Sequence, residues 1–169
     1  MLLNVREWTA KKRQRQWKQS FPIDAVFAGN ADCRNCGPAT AELTADASSG
    51  MIGVTGILDV RVEFVCSRCL SPFCRELRVP FDESFTRDSE LLDEERDNLH
   101  LVADDEEVDL QPYVEQSILL ALPYVPVCQE ECRGLTTSGV NRNVFPDAEN
   151  EVAVDPRLAA LADWFKKEE

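Results

Sequence analysis

Two pairs of cysteines set the strongest constraint on how this chain can fold. Cys66 and Cys69 flank Ser67-Arg68, and far downstream Cys128 and Cys132 flank Gln129-Glu130-Glu131. Closely spaced thiols can aim at one soft cation, and a second pair from a distant segment completes a tetrahedral shell while tying the two segments together. A shell filled by sulfur leaves no position for water or substrate. The pattern therefore predicts a structural site in a binding scaffold, with zinc as the metal the donor type selects. Cys33-Arg34-Asn35-Cys36-Gly37 competes as a partner pair, because a glycine after the second cysteine relieves crowding in such a turn.

The chain has 169 residues, 44% of them hydrophobic, which suits one domain with a proper core. Its cysteines number seven, an odd count. The N-terminus, Met1-Leu2-Leu3-Asn4-Val5-Arg6-Glu7-Trp8, has no apolar signal core, so reduced thiols in the cytoplasm are expected. The longest apolar stretch, Ile118 to Val127, contains prolines and falls short of the ~20 residues a membrane helix needs. Membrane association is not expected.

Net charge is -13, which taken alone disfavours nucleic acid. The distribution is uneven. Arg6, Lys11, Lys12, Arg13, Arg15 and Lys18 stand against Glu7 alone, with Trp8 and Trp17 among them. Basic side chains interleaved with aromatic rings suit phosphates and unpaired bases, although such a run is also what a solvated helix face anchored by tryptophans looks like. The acidic run Asp104-Asp105-Glu106-Glu107 lacks the ordered ligand spacing of a calcium loop and reads as solvated surface.

Hydrophobic periodicity gives the elements. Met1 to Asn4 reads as a strand or extended arm, and Val5 to Gln19, rich in Lys, Arg and Gln without Pro or Gly, as a basic helix. Ile23 to Phe27 suggests a short strand, followed by a loop carrying Cys33 and Cys36. Thr40 to Ala45 alternates as a half-buried strand. From Met51 to Val65 the even positions Ile52, Val54, Leu58, Val60, Val62 and Phe64 make one apolar face that delivers Cys66. Arg75 to Thr86 alternates again, which places the first cysteine pair in a hairpin turn of an antiparallel meander. Asp109 and Pro112 open a helix with Leu110, Val114, Ile118 and Leu122 on one face, and Pro123 stops it. Asp155-Pro156 begins a short C-terminal helix with Leu158, Leu161, Trp164 and Phe165 on its apolar side. The expected class is α+β: an antiparallel meander or partly closed sheet covered by a central helix, with N-terminal and C-terminal helices and a four-cysteine zinc knuckle. Residues 1–145 form the expected domain, and 146–169 a polar linker and short helix.

Particular residues then resemble a known family. Val65-Cys66-Ser67-Arg68-Cys69-Leu70, Val108-Asp109-Leu110 through Glu115 to Leu122-Pro123, Pro126-Val127-Cys128, Cys132-Arg133-Gly134-Leu135 and Gly139-Val140-Asn141-Arg142-Asn143 are similar to the YceD family of large ribosomal RNA subunit accumulation proteins. Asp155-Pro156-Arg157-Leu158-Ala159-Ala160-Leu161 resembles the tail of many members, so the likeness spans roughly Leu58 to Phe165. Many members carry a further Cys-x-x-Cys where this chain has Thr136-Thr137-Ser138, which leaves Cys66, Cys69, Cys128 and Cys132 as the matched ligands.

The resemblance implies a non-enzymatic cytoplasmic factor for accumulation or processing of large-subunit (23S) rRNA, acting on pre-rRNA or a pre-ribosomal particle. The residues expected to contact RNA are Arg6, Lys11, Lys12, Arg13, Arg15 and Lys18, with Arg68, Arg133 and Arg142 near the cysteines. The alternative is an acidic, zinc-stapled adaptor or chaperone for a basic ribosomal protein or a processing nuclease. No small-molecule substrate is expected. His100 is the only histidine, with no oxyanion motif or phosphate loop near it, and reads as a lone surface residue.

Overall fold

A computed structural model describes residues 2–4, 14–29, 32–48, 50–91, 97–103 and 107–147. Among these residues the strands are β1 Leu2–Asn4, β2 Gln14–Phe21, β3 Cys33–Asn35, β4 Ala39–Ser48, β5 Met51–Val65, β6 Pro72–Thr86, β7 Leu99–Leu101 and β8 Glu107–Asp109, and a helix, α1, spans Gln111–Ala121. The described residues fall into two compact units. The first lies within Met1–Val65 and Pro72–Tyr124, the second within Cys66–Ser71 and Val125–Glu169.

In the first unit the long alternating segments form the expected meander. β4, β5 and β6 pair antiparallel, with Leu43 opposite Gly56 and Gly56 opposite Phe81. On β4 the buried positions are Ala39, Ala41, Leu43, Ala45 and Ala47; on β5 they are Ile52, Val54, Leu58, Val60, Val62 and Phe64. A period of two therefore puts one face of each strand into the core. The sheet is mixed rather than purely antiparallel, because β7 joins β6 in parallel. β1 and β8 pair separately as a two-stranded sheet.

α1 packs against β6, β5 and a 3-10 turn at Asp24–Phe27, burying Val114 and Ile118 beside Phe81 and Phe85. Pro112 sits in the first turn as expected. Asp109 also acts at this end, its Oδ1 accepting the Gln111 N–H at 3.1 Å, although Leu110 occupies the capping position itself. Ile118 is fully buried, so Ile118→Val removes one methylene from a packed site. The expected loss is about 0.5–1.5 kcal/mol, seen as a lower urea midpoint at unchanged slope.

Three readings are corrected. Gln14–Phe21, placed in a basic helix, is a strand paired along its whole length with β4, from Gln14 opposite Asp46 to Phe21 opposite Ala39. Tertiary pairing overrides the helix propensity of Lys, Arg and Gln here. Residues 5–13 of that segment, and the C-terminal helix expected from Asp155, lie outside the described residues. Second, the strand expected over Ile23 to Phe27 is the 3-10 turn. It buries Ile23 and Phe27, which a short apolar run can do in either conformation. Third, His100 is no lone surface residue: β7 sets it beside Phe85, its Nε2 lies 2.6 Å from Glu83 Oε2, and its ring packs 4.7 Å from that of Tyr113. No helix among the described residues is long and apolar enough to cross a membrane.

Candidate metal centre

The second unit is built around the two cysteine pairs. β5 delivers Cys66, and the chain turns through Ser67, Arg68 and Cys69 before returning at Pro72. Leu70 N–H donates to the Cys66 carbonyl at 2.9 Å and Cys66 N–H to the Ser71 carbonyl at 3.0 Å. Leu70 closes the turn in the left-handed region, φ 56°, a conformation usually left to glycine. Ser67 N–H donates to the Pro126 carbonyl at 2.8 Å, which brings the segment carrying Cys128 and Cys132 alongside.

The four sulfurs converge. All lie within 4.8 Å of one another, with Cys66 and Cys132 Sγ 3.8 Å apart and Cys69 and Cys128 Sγ 3.7 Å apart. A tetrahedron of thiolates at the ~2.3 Å metal–sulfur distance has edges of about 3.8 Å. The cluster has that size, and its cysteines are not joined as disulfides. These residues could hold a metal ion.

Electrostatics fit the same use. Burial pushes the Cys66 thiol up, but N–H groups of Cys128, Cys69 and Arg68 directed at its sulfur outweigh this and lower it to about 6. Burial likewise opposes ionisation of Cys69, and the Ser71 N–H and hydroxyl bring it below the ordinary thiol range. Cys128 goes the other way, pushed up to about 12 by burial and by the thiols of Cys132, Cys66 and Cys69. Four thiols at this spacing resist ionising together unless a cation lies among them.

Packing leads to the same place. Among the described residues of this unit the buried apolar side chains are Cys66, Cys69 and Cys132, with Pro126; no Leu, Ile, Val or Phe is buried. Leu70, Val125, Val140, Val144 and Phe145 are exposed. The described residues of this unit therefore supply no hydrophobic core of their own, and a metal is one of the few substitutes.

The polar residues around the cysteines clasp the loops. Arg68 Nη1 donates to the carbonyls of Glu130 at 2.9 Å and Cys132 at 3.2 Å. Gly134 takes φ 72° and passes so close to Arg68 that a Cβ there would stand 3.0 Å from the Arg68 carbonyl oxygen. Asn143 Nδ2 donates to Cys132 Sγ at 3.2 Å while its Oδ1 accepts the Arg133 N–H at 2.9 Å. Asn141 Nδ2 donates to Ser71 Oγ at 3.0 Å, and its Oδ1 accepts the Asn143 N–H at 2.9 Å. These asparagine roles were not read from the sequence, where Asn141 and Asn143 counted only as part of a motif. The available signal is Asn141-Arg142-Asn143 shortly after Gly139, since asparagine closes turns on its own backbone. Thr136 is buried, and its Oγ1 accepts the Val140 N–H at 2.9 Å.

The other expected site residues are dispersed. Cys33 is buried in the first unit, where burial and then Asp32 raise its thiol, and Cys36 lies beside Cys74, so this pair does not join the cluster. Arg15 and Lys18 lie on β2. Arg15 stacks 5.2 Å over the Trp17 ring and Lys18 is ion-paired with Glu42. Arg133 is exposed in the second unit, and Arg142 buries its Nε there without a hydrogen-bond partner. Arg6, Lys11, Lys12 and Arg13 lie outside the described residues.

The family described as "Large ribosomal RNA subunit accumulation protein YceD" matches residues 54–165. The uncharacterized protein YlbN of Bacillus subtilis is 28% identical over 175 residues, covering 96% of this chain and 98% of its own length. Uncharacterized proteins of Mycobacterium bovis and Mycobacterium tuberculosis are each 32% identical over 130 residues, 75% of this chain and 62% of theirs. No solved structure matches the chain.

Proposed function

The chain belongs to the YceD family, and on that footing we propose that it is a non-enzymatic factor for accumulation or processing of large-subunit rRNA. It acts by binding pre-rRNA or a pre-ribosomal particle in the cytoplasm. The observation that carries this reading is the family match, which runs across β5, β6, α1 and the cysteine cluster together. Zinc at Cys66, Cys69, Cys128 and Cys132 is structural in this proposal. It supplies the cross-link that an apolar core would otherwise provide, and leaves no open coordination position for chemistry.

In the RNA-binding form of the proposal, Arg133 and Arg142 beside the cluster and the basic residues from Arg6 to Lys18 meet phosphates. Arg68 holds the loop that presents them, since its guanidinium is engaged by two carbonyls. A specific observation favours the second reading, a protein adaptor. Lys18 is neutralised by Glu42, and the whole chain carries -13. An acidic body of that kind suits a basic ribosomal protein better than it suits RNA.

Binding measured against salt separates the two. Direct phosphate contact predicts affinity for large-subunit rRNA that falls steeply as salt rises. Each contact removed by Lys12→Ala, Arg13→Ala or Arg133→Ala lowers the slope by about 1. Absence of rRNA binding at low salt, with ribosomal protein captured instead by crosslinking from cells, selects the adaptor.

A further inference from the structure

On the face of the sheet turned away from the core, three donor side chains meet that the four-cysteine cluster does not use. Register places Arg34 of β3 on one side of Glu63 of β5 and Cys74 of β6 on the other. Cys36, one residue past β3, still follows β5, its N–H donating to the Arg61 carbonyl at 3.1 Å. The two-residue period of a strand then puts Arg34, Cys36, Arg61, Glu63 and Cys74 on one face, and the buried Val62 and Phe64 on the other. The Sγ atoms of Cys36 and Cys74 are 3.5 Å apart, a Glu63 carboxylate oxygen lies within 4.8 Å of both, and both cysteines are exposed.

Two thiols this close can join as a disulfide or share a cation, and the strand order decides between them. β3 and β6 flank β5, so their main chains are two strand spacings apart, about 9–10 Å. A disulfide needs Cα atoms within about 7 Å, so forming one would draw the two strands across β5. A bridging cation needs no such movement: thiolates bound at ~2.3 Å stand about 3.8 Å apart. The middle strand supplies a third ligand through Glu63. With donors from one exposed face only, a fourth position stays open to solvent.

We propose that Cys36, Cys74 and Glu63 form a second metal site, open and exchangeable, for a thiophilic divalent cation of the zinc class. Binding forms two metal–sulfur bonds and one metal–oxygen bond, and the two thiol protons pass to solvent. Two thiolates and a carboxylate exceed the charge of the cation by one. Burial and then Cys74 and Glu63 raise the Cys36 thiol while Arg61 acts against them, and the same Arg61 charge offsets that excess once the cation is bound. The site differs from the four-cysteine cluster in the way a catalytic or sensing site differs from a structural one, by leaving a coordination position free.

The test is titration of the reduced, metal-stripped full-length protein with Cd²⁺ alone, followed by thiolate-to-cadmium absorption and equilibrium dialysis. Wild type is expected to bind a tight and a weaker equivalent. Cys36→Ser and Cys74→Ser, both at exposed positions, each lose the weaker one, and Glu63→Gln weakens it at least tenfold. Cys66→Ser loses the tight equivalent and keeps the weaker, so failure of the structural zinc site and failure of this one are read separately. Wild-type stoichiometry in the Cys36→Ser, Cys74→Ser double variant overturns the proposal, as does a weaker equivalent with no thiolate-to-cadmium absorption.

Discussion

Cys66→Ser is expected to strip the metal from the second unit and unfold it while the sheet of the first unit stays folded. Serine keeps the shape of the side chain but replaces a soft sulfur with an oxygen that zinc does not hold in such a shell. The remaining thiols then lie within 4.8 Å of one another with no cation to balance them, and among the described residues of the unit no Leu, Ile, Val or Phe is buried. Structural zinc contributes about 10–16 kcal/mol of apparent folding free energy in small peptides. Losing even about 4 kcal/mol is a large share of the roughly 5–15 kcal/mol that holds a domain folded, so the melting of this unit moves down while that of the first unit stays in place. The measurement is metal content and thermal melting on the same preparation, with limited proteolysis to place the unfolded region. Cleavage should concentrate between residues 125 and 147. Metal content and melting identical to wild type would show that the thiols are merely buried side chains.

The same variant tests how far spacing alone can be trusted. Cys66-x-x-Cys69 and Cys128-x-x-x-Cys132 were legible as one site because a hairpin predicted from alternation on β5 and β6 presents the first pair in its turn. Local chemistry ranks Cys33 and Cys36, followed by Gly37, slightly above Cys128 and Cys132 with their looser three-residue spacer, since a glycine after the second cysteine relieves crowding in the turn. Yet Cys128 and Cys132 join the cluster, and in the first pair the position after the second cysteine is held by Leu70 at φ 56°, 64% exposed. The cost of that conformation, about 1–2 kcal/mol, comes from the Cβ against the local backbone, and exposure does not remove it. Glycine placement was therefore a poor guide to which pair joins the cluster.

β2 was illegible for a different reason. A half-buried strand announces itself by alternation, but Gln14–Phe21 is exposed at nearly every position, with only Trp17 half-buried and Phe21 buried. It is an edge strand whose identity comes from its hydrogen bonds to β4, and side-chain pattern carries no record of those. The functional consequence is specific. In a helix the basic residues of this segment would share one face; in the strand Arg15 and Lys18 point to opposite faces, so any phosphate surface including both must wrap the sheet edge. The Glu83–His100 pair escaped notice similarly, because it depends on β7 joining β6 in parallel across an acidic connection.

Gly56→Ala is expected to be the most damaging single substitution in the sheet. Gly56 lies in the middle of β5, opposite Leu43 on β4 and Phe81 on β6, in a run whose alternate positions are otherwise filled by Ile, Val, Leu and Phe. Pattern alone would assign it a buried side chain. The structure shows why it has none: a Cβ there would lie 2.0 Å from the Glu42 carbonyl oxygen and 2.9 Å from Leu43 Cα. Both are main-chain atoms of β4, so no rotamer change relieves the contact; the strands themselves must separate, breaking hydrogen bonds on both sides of Gly56. Overpacking against movable side chains costs about 1–3 kcal/mol, and a backbone clash should exceed that range, at about 4 kcal/mol or more. Chemical denaturation followed by far-ultraviolet circular dichroism reads the loss, and Gly53→Ala supplies the control. Gly53 lies on the same strand, yet a Cβ there would meet nothing closer than Ser84 Oγ at 4.0 Å. Gly53→Ala should therefore leave stability within about 1 kcal/mol of wild type, since only intrinsic strand preference changes. Equal effects at the two positions would refute the close approach of β4 to β5 and with it the packing of the central sheet.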